Sequence, residues 1–298
     1  MPKTARRFQF VQLDVFTATP LEGNPLAVFP DARGLSDAEM QALARETNLS
    51  ETTFVLPRDA ETERERGHRV RIFTVQEELP FAGHPTLGTA MVLRGASGAE
   101  TVWLDLKVGK IPVRFRQDEH GLLYGEMQQR DPEFGASHER GAVARATGLG
   151  VDDIDPDLPI QDVSTGLTFT IVPLRRLAIA QQLRLDWNRA AEYLRRDLPT
   201  RFFYFVCRET VDPTARLHTR MIFYNGEDPA TGSAAGCTAA WMVAHGVAKP
   251  DESVVIEQGL EAKRPSRIVV RAGRQDNRIV NVRVGGNAVE VMRGEVFL

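Results

Sequence analysis

The sequence predicts an α+β fold of two similar domains, each a curled, mostly antiparallel sheet around one central buried helix. Three observations carry this. Short segments of two-residue alternation recur along the 298 residues. Two helical runs are apolar nearly all round, with Leu87, Ala90, Met91, Val92 and Leu93 in one and Ala234, Ala235, Ala239, Ala240, Trp241, Met242 and Val243 in the other; such helices are buried rather than amphipathic. And one plan occurs twice: Arg71-Ile72-Phe73, Pro80, Gly83, buried helix, strands; then Arg220-Met221-Ile222-Phe223, Pro229, Gly232, buried helix, strands. The spacing of the two copies is read as differing by one residue. The domains are placed at 1–128 and 129–298, with the last strand a candidate to return to the first domain.

Taken in order, Phe8 to Phe16 alternates as a first strand, Leu21 to Pro25 supplies turn chemistry, and Leu26 to Phe29 is a second strand. Ser36 with Glu39 forms a capping box ahead of Met40, Leu43 and Ala44, and that helix stops near Thr47 or Asn48. Strand 51–57 follows. The charged stretch Arg58 to Arg69 is read as a solvated hairpin loop. After strand Val70 to Val75, Pro85 suits the first turn of the helix Thr86 to Leu93, where a missing N–H costs nothing. Strands are expected at 101–108, 110–116 and 121–127. The second copy has a helix over Ser233 to His245, then strands at 253–258, 267–271, 278–284 and 288–292. Between the copies, Gln161 to Gly166 reads as a turn, Phe169 to Leu174 and Phe202 to Cys207 as strands, and Cys207 as a buried apolar filler.

Composition narrows the function. With 37 Lys and Arg against 40 Asp and Glu, the net charge is −3, which gives no broad attractive field for nucleic acid or an anionic membrane. Two cysteines thirty positions apart build neither a disulfide framework nor a zinc knuckle, which fits a reducing cytoplasm. No apolar run approaches the roughly 18 residues of a spanning helix. Nucleotide and His-Glu-x-x-His zinc motifs are missing. His68, His120, His138, His218 and His245 fall in turns, strand starts or a helix end and are assigned to the surface.

Chemistry is expected at the two helix starts. A buried helix entered through a glycine turn directs backbone N–H groups and a partial positive charge outward. Gly83-His84 and Gly232-Ser233 both fit, and a pseudo-twofold arrangement would aim them at one interdomain cleft holding a small carboxylate or the enediolate derived from it. Glu51, His84, Glu227 and Asp228 are the available acid/base groups.

Four stretches sharpen this: Leu21-Glu22-Gly23-Asn24-Pro25, Asn48 to Val55 (NLSETTFV), Leu79 to Pro85 (LPFAGHP) and Glu227 to Gly236 (EDPATGSAAG). Together, and in this order, they resemble the PhzF family of phenazine-biosynthesis isomerases, over a span from about Phe8 to the C-terminus. The resemblance implies a diaminopimelate epimerase-like fold, a homodimer, no cofactor or metal, and a proton shift on trans-2,3-dihydro-3-hydroxyanthranilate. It also implies that Glu51 is the proton-shuttling acid/base, that His84, Asp228 and Ser233 are polar cleft residues, and that Gly83 and Gly232 present amides to the substrate carboxylate. Related two-base racemases use paired cysteines at these helix starts. Here His84 and Ser233 stand there, with Cys237 one turn deeper, so one carboxylate serving one face suits the chemistry. That role predicts a Glu51 pKa raised by burial. Epimerisation of another amino or hydroxy acid, and binding of a small acid without catalysis, are the alternative functions.

Overall fold

Residues 6–195, 200, 202–224 and 226–298 are described by the computed structural model. The chain forms two units, one running up to Met127 and taking back Gly285–Leu298, the other spanning Gln128–Val284.

In the first unit, β1 (Arg7–Val15) pairs antiparallel with β2 (Asn24–Phe29), and β2 pairs in parallel with β3 (Glu51–Val55). The crossover between β2 and β3 is α1 (Asp37–Thr47). Its N-terminus is the expected capping box, with Ser36 Oγ accepting from Glu39 N and Ser36 N donating to the Glu39 carboxylate at 2.8 Å. Asn48 closes the helix in the left-handed region, at φ 52°. Met40, Leu43 and Ala44 bury the inner face of α1 against Phe29, Phe54 and Phe73, whose rings stack (4.9 Å between Phe29 and Phe54) and meet edge-on (5.5 Å between Phe54 and Phe73). This aromatic layer fixes β3, and with it the position of Glu51.

The charged stretch after β3 is not a loop. It forms α2 (Ala60–Arg66), in which the side chain of Asp59 accepts from Thr62 N at 2.9 Å. Glu61 and Glu63 sit in the first turn and Arg64 and Arg66 in the last, so charge order complements the helix dipole. No residue of α2 is buried, so a solvated segment was the correct expectation and only its conformation was missed.

Next come β4 (His68–Phe73), the short β5 (Glu78–Leu79) and α3 (Gly83–Arg94), the central helix of this unit. Every residue from Gly83 to Met91 is buried. The unit is completed by β6 (Thr101–Leu106), β7 (Gly109–Gln117) and β8 (Leu123–Gln128), an antiparallel meander joined to β4 by a parallel pairing.

The second unit starts with β9 (Glu133–Ser137) and α4 (Arg140–Thr147). Gln161–Ser164, expected to be a turn, is the strand β10, paired on one side with β9 and on the other with β11 (Thr168–Leu174). Its turn residues begin only at Thr165, so four residues of strand were hidden beside them. Helices α5 (Leu177–Gln182) and α6 (Trp187–Leu194) follow, and with α4 they cover an apolar layer of Val172, Phe203, Phe205 and Cys207. Cys207 is buried in that layer, as expected. Strand β12 (Phe202–Cys207) pairs in parallel with β11 and antiparallel with β13 (Ala215–Phe223). Then come β14 (Gly226–Asp228), the central helix α7 (Gly232–Ala244), β15 (Val254–Gln258), which runs parallel to β13, and β16 (Ser266–Gln275). All of α7 from Gly232 to Val243 is buried, including Trp241, which donates Nε1 to Pro159 O at 3.2 Å.

The last two expected strands are one, β17 (Arg278–Phe297), whose later half pairs with β1 in the first unit. Gly285 and Gly286 lie in the gap left between those two expected strands. A Cβ on Gly285 would collide with the Tyr124 hydroxyl and the Gly125 carbonyl, so the residue permits close strand approach rather than reversal.

The register within each unit also corrects the reading of the repeat. Phe54 faces Arg71 in the first unit as Phe205 faces Arg220 in the second, and Ile72 faces Leu79 as Met221 faces Asp228. Arg71, Glu78, Pro80 and Gly83 therefore correspond to Arg220, Glu227, Pro229 and Gly232 at equal spacing. The one-residue offset came from matching Phe73 to Phe223, whereas its counterpart is Ile222.

Candidate active site

Glu51 is the first residue of β3, opposite Leu26 of β2, with its side chain 14% exposed. A tight connection from the left-handed Asn48 delivers it, and beside it the hydroxyls of Thr47 and Thr52 bond at 2.7 Å across the gap between helix end and strand. His84, second residue of α3, is fully buried. Its Nε2 lies 3.6 Å from Glu51 Oε2. On the other side of the ring, buried Asn24 donates Nδ2–H to Nδ1 at 3.0 Å. Asn24 reaches it because Gly23 makes a left-handed turn (φ 65°) in which a Cβ would press on the Val15 carbonyl and the side chain of Thr17.

Electrostatics fix the state of that ring. Burial pushes the His84 pKa down to about 3, so the imidazole is neutral at physiological pH. With Nδ1 accepting from Asn24, the hydrogen sits on Nε2, pointing at Glu51. The start of α3 has no side-chain cap, since Ala82 precedes Gly83 and the first turn holds no acidic residue. This leaves the helix end to act on whatever anion approaches it.

The second unit repeats the scaffold with other groups. Asp228 ends β14 and is buried; its Oδ2 accepts from Thr231 Oγ1 at 2.7 Å. Gln258 ties this turn together, donating Nε2–H to Asp228 O (2.7 Å) and Thr231 Oγ1 (2.9 Å) and accepting from Thr231 N at 3.1 Å and from the Tyr204 hydroxyl at 2.8 Å. Gly232 and Ser233 open α7, again without a side-chain cap, and buried Gln129 donates to Gly232 O at 2.9 Å.

The structure thus brings Glu51, Gly83 and His84 together in the first unit, and Asp228, Gly232 and Ser233 together in the second. The sheet register shows how unlike the two sets are. The counterpart of Glu51 is Phe202, since each stands three positions before the phenylalanine that faces the arginine; that of Asp228 is Leu79, and that of His84 is Ser233. Duplication supplied the frame, and each copy carries acid/base groups where the other has none.

Sequence reasoning missed Gln258, Tyr204, Thr231 and Gln129 as supports, because no local pattern distinguishes a strand-end glutamine from a surface one. Asn24 was legible only as part of a turn. Two histidines assigned to the surface turn their side chains inward: His218 is buried, and the side chain of His138 is 4% exposed. His138 bonds Asp162 at 2.9 Å and Tyr193 at 3.0 Å, and His218 lies between Glu257 (2.9 Å) and Glu261 (3.3 Å). His218 sits on β13, flanked by β12 and β15, and in such a strand a histidine is tolerated only with partners built in. His120 is exposed, and His68 and His245 are half-buried.

Comparison with known proteins gives the family of the chain. The profile of the PhzC-PhzF family, described as "Phenazine biosynthesis-like protein", matches residues 13–294. The chain belongs to the PhzC-PhzF family. It is 39% identical to an uncharacterized isomerase of Mesorhizobium japonicum, with 97% of this chain and 98% of that protein covered. Identity to the trans-2,3-dihydro-3-hydroxyanthranilate isomerase of Pseudomonas chlororaphis is 34%, covering 97% and 99%. The crystal structure of a PhzF-family phenazine biosynthesis protein from Bacillus anthracis superposes with a TM-score of 0.86 at 29% identity, over 98% of this chain and all of that one. This PhzC-PhzF protein is an isomerase with the α+β fold of its family. Among its described residues no helix is long and apolar enough to cross a membrane.

Proposed function

We propose that this PhzC-PhzF isomerase shifts a proton within a small carboxylic acid, as its relative does with trans-2,3-dihydro-3-hydroxyanthranilate, working in the cytoplasm as a homodimer and without nucleic acid or membrane partners. Glu51 takes a proton from one carbon, leaving a delocalised carbanion, exchanges that proton with solvent, and delivers a proton to another carbon on the same face. The neutral Nε2–H of His84 steadies Glu51 as a carboxylate before and after the transfer and orients the carboxylic acid it becomes between the two steps, and Asp228 assists by hydrogen bonding to the substrate. Backbone amides at Gly83 and Gly232, with the Ser233 hydroxyl, hold the substrate carboxylate. The proton needs no acceptor beyond Glu51, so the reaction balances without a cofactor.

One observation carries this reading: Glu51 sits against a neutral histidine, while its counterpart in the duplicated unit is Phe202. Epimerisation by two opposed bases needs a proton carrier for each face, and the frame offers a titratable side chain at this position only once. The test is turnover of trans-2,3-dihydro-3-hydroxyanthranilate in heavy water. Glu51→Gln should lose about a hundredfold or more in kcat, and the wild type should label the newly protonated carbon. Label at the original carbon of an amino or hydroxy acid indicates an epimerase, neither label nor product from any carboxylate tried indicates a binding protein, and full turnover by Glu51→Gln removes Glu51 from the mechanism.

A further inference from the structure

The two units share a second device that the proposed chemistry does not use. In the first, Arg71 grips Glu78 seven residues later, Nε to Oε1 at 2.9 Å and Nη2 to Oε2 at 2.7 Å. In the second, Arg220 grips Glu227 with the same spacing and the same pair of atoms, both at 2.7 Å. Each fork closes the hairpin that hands the chain to the central helix. Bidentate arginine–carboxylate pairs set orientation as well as energy, because the planar fork admits one approach.

Their surroundings differ. Glu78 also meets the half-exposed Lys107, Arg71 meets the exposed Asp37, and the residue after Glu78 is apolar Leu79. Arg220 is buried, its side chain 3% exposed, with Nη1 donating to the carbonyls of Ala180 (2.6 Å) and Leu183 (3.0 Å) and Glu261 at 3.7 Å from Nε. The residue after Glu227 is Asp228. Burying a guanidinium is costly unless its donors are matched, and here they hold one strand end from two sides.

We infer that Arg220 and Glu227 are positioning residues for Asp228: their buried fork fixes the β13–β14 hairpin and so the direction in which the Asp228 carboxylate is presented. This rests on the role proposed above for Asp228. A shift of about 1 Å in such a group can cost on the order of a hundredfold in rate.

The experiment is a double-mutant cycle on turnover of trans-2,3-dihydro-3-hydroxyanthranilate, with thermal melting recorded for each protein. Glu227→Gln should lower kcat by about tenfold to a hundredfold while KM changes less than about threefold. In an Asp228→Asn background, the same change should lower kcat by less than about twofold, since the group it aims is gone. Glu227→Asp, which keeps the charge on a shorter arm, is the second variant and should show the same dependence on Asp228. An equal loss in both backgrounds, or no loss in either, overturns the positioning role. Full turnover by Asp228→Asn overturns the role of Asp228 itself and is read independently of Glu227.

Discussion

Asn24 donates to His84 Nδ1 at 3.0 Å, and this one bond decides which ring nitrogen faces Glu51 with a hydrogen. The turn at Gly23, the start of β2 and the start of α3 all converge on it. Removing the donor leaves a buried acceptor unmatched and the ring free to exchange tautomers. Asn24→Ala should cost about 1–3 kcal/mol in urea unfolding and lower kcat about tenfold or more. Unchanged turnover with reduced stability would make the bond structural only.

The buried neutral state of His84 makes stability fall in acid. Its folded pKa is depressed to about 3, so below the ordinary value of about 6.5 the unfolded chain binds a proton that the folded chain refuses. Stability tied to this group is therefore complete above pH 6.5 and declines as pH drops toward 3, at about 1.4 kcal/mol per pH unit. Urea unfolding of wild type and His84→Asn between pH 7 and pH 4 should give a shallower pH slope for the variant by that amount.

His218 has the opposite sign. Burial penalises its charged form, yet Glu261 and then Glu257 outweigh that and raise its pKa above the ordinary value. Its contribution is complete below about pH 6.5 and is lost as pH rises through the raised folded pKa. His218→Gln should consequently lose more stability at pH 6 than at pH 9, as measured by denaturant midpoints. An equal loss at both would show that the imidazole is held neutral.

The capping boxes and caps of surface helices offer a local test. Ser36 and Glu39 satisfy each other's backbone donors at the start of α1, and the Asp59 side chain does the same work for α2. Ser36→Ala should lower stability by about 1 kcal/mol. Asp59→Ala should reduce protection of the α2 amides in hydrogen exchange while leaving the buried amides of α3 unchanged.

Much of this was legible in the chain itself. The Ser36–Glu39 box, the helix stop near Thr47 or Asn48, the alternation of β1 and the uniformly apolar α3 and α7 are local properties: each follows from the chemistry of neighbours a few residues apart, so reading along the sequence is enough. The charged stretch that became α2 failed because both a solvated loop and a solvated helix tolerate the same residues, and only the order of charges along it distinguished them. At β17 a Gly-Gly pair has two physical uses, reversal and close approach, and the choice depends on Tyr124, some 160 residues away.

What the sequence by itself determined was the family's motif set, the α+β repeat and the glycines that open the two central helices. Tertiary structure alone decided their partners: that Asn24 sets the tautomer of His84, that Gln258 ties the Asp228 turn, that His218 is buried between two glutamates, and that Phe202 stands where the duplicated frame repeats the position of Glu51. The reason is that hydrogen bonding, desolvation and strand register act across the fold between residues far apart in the chain, and no local pattern carries their distances.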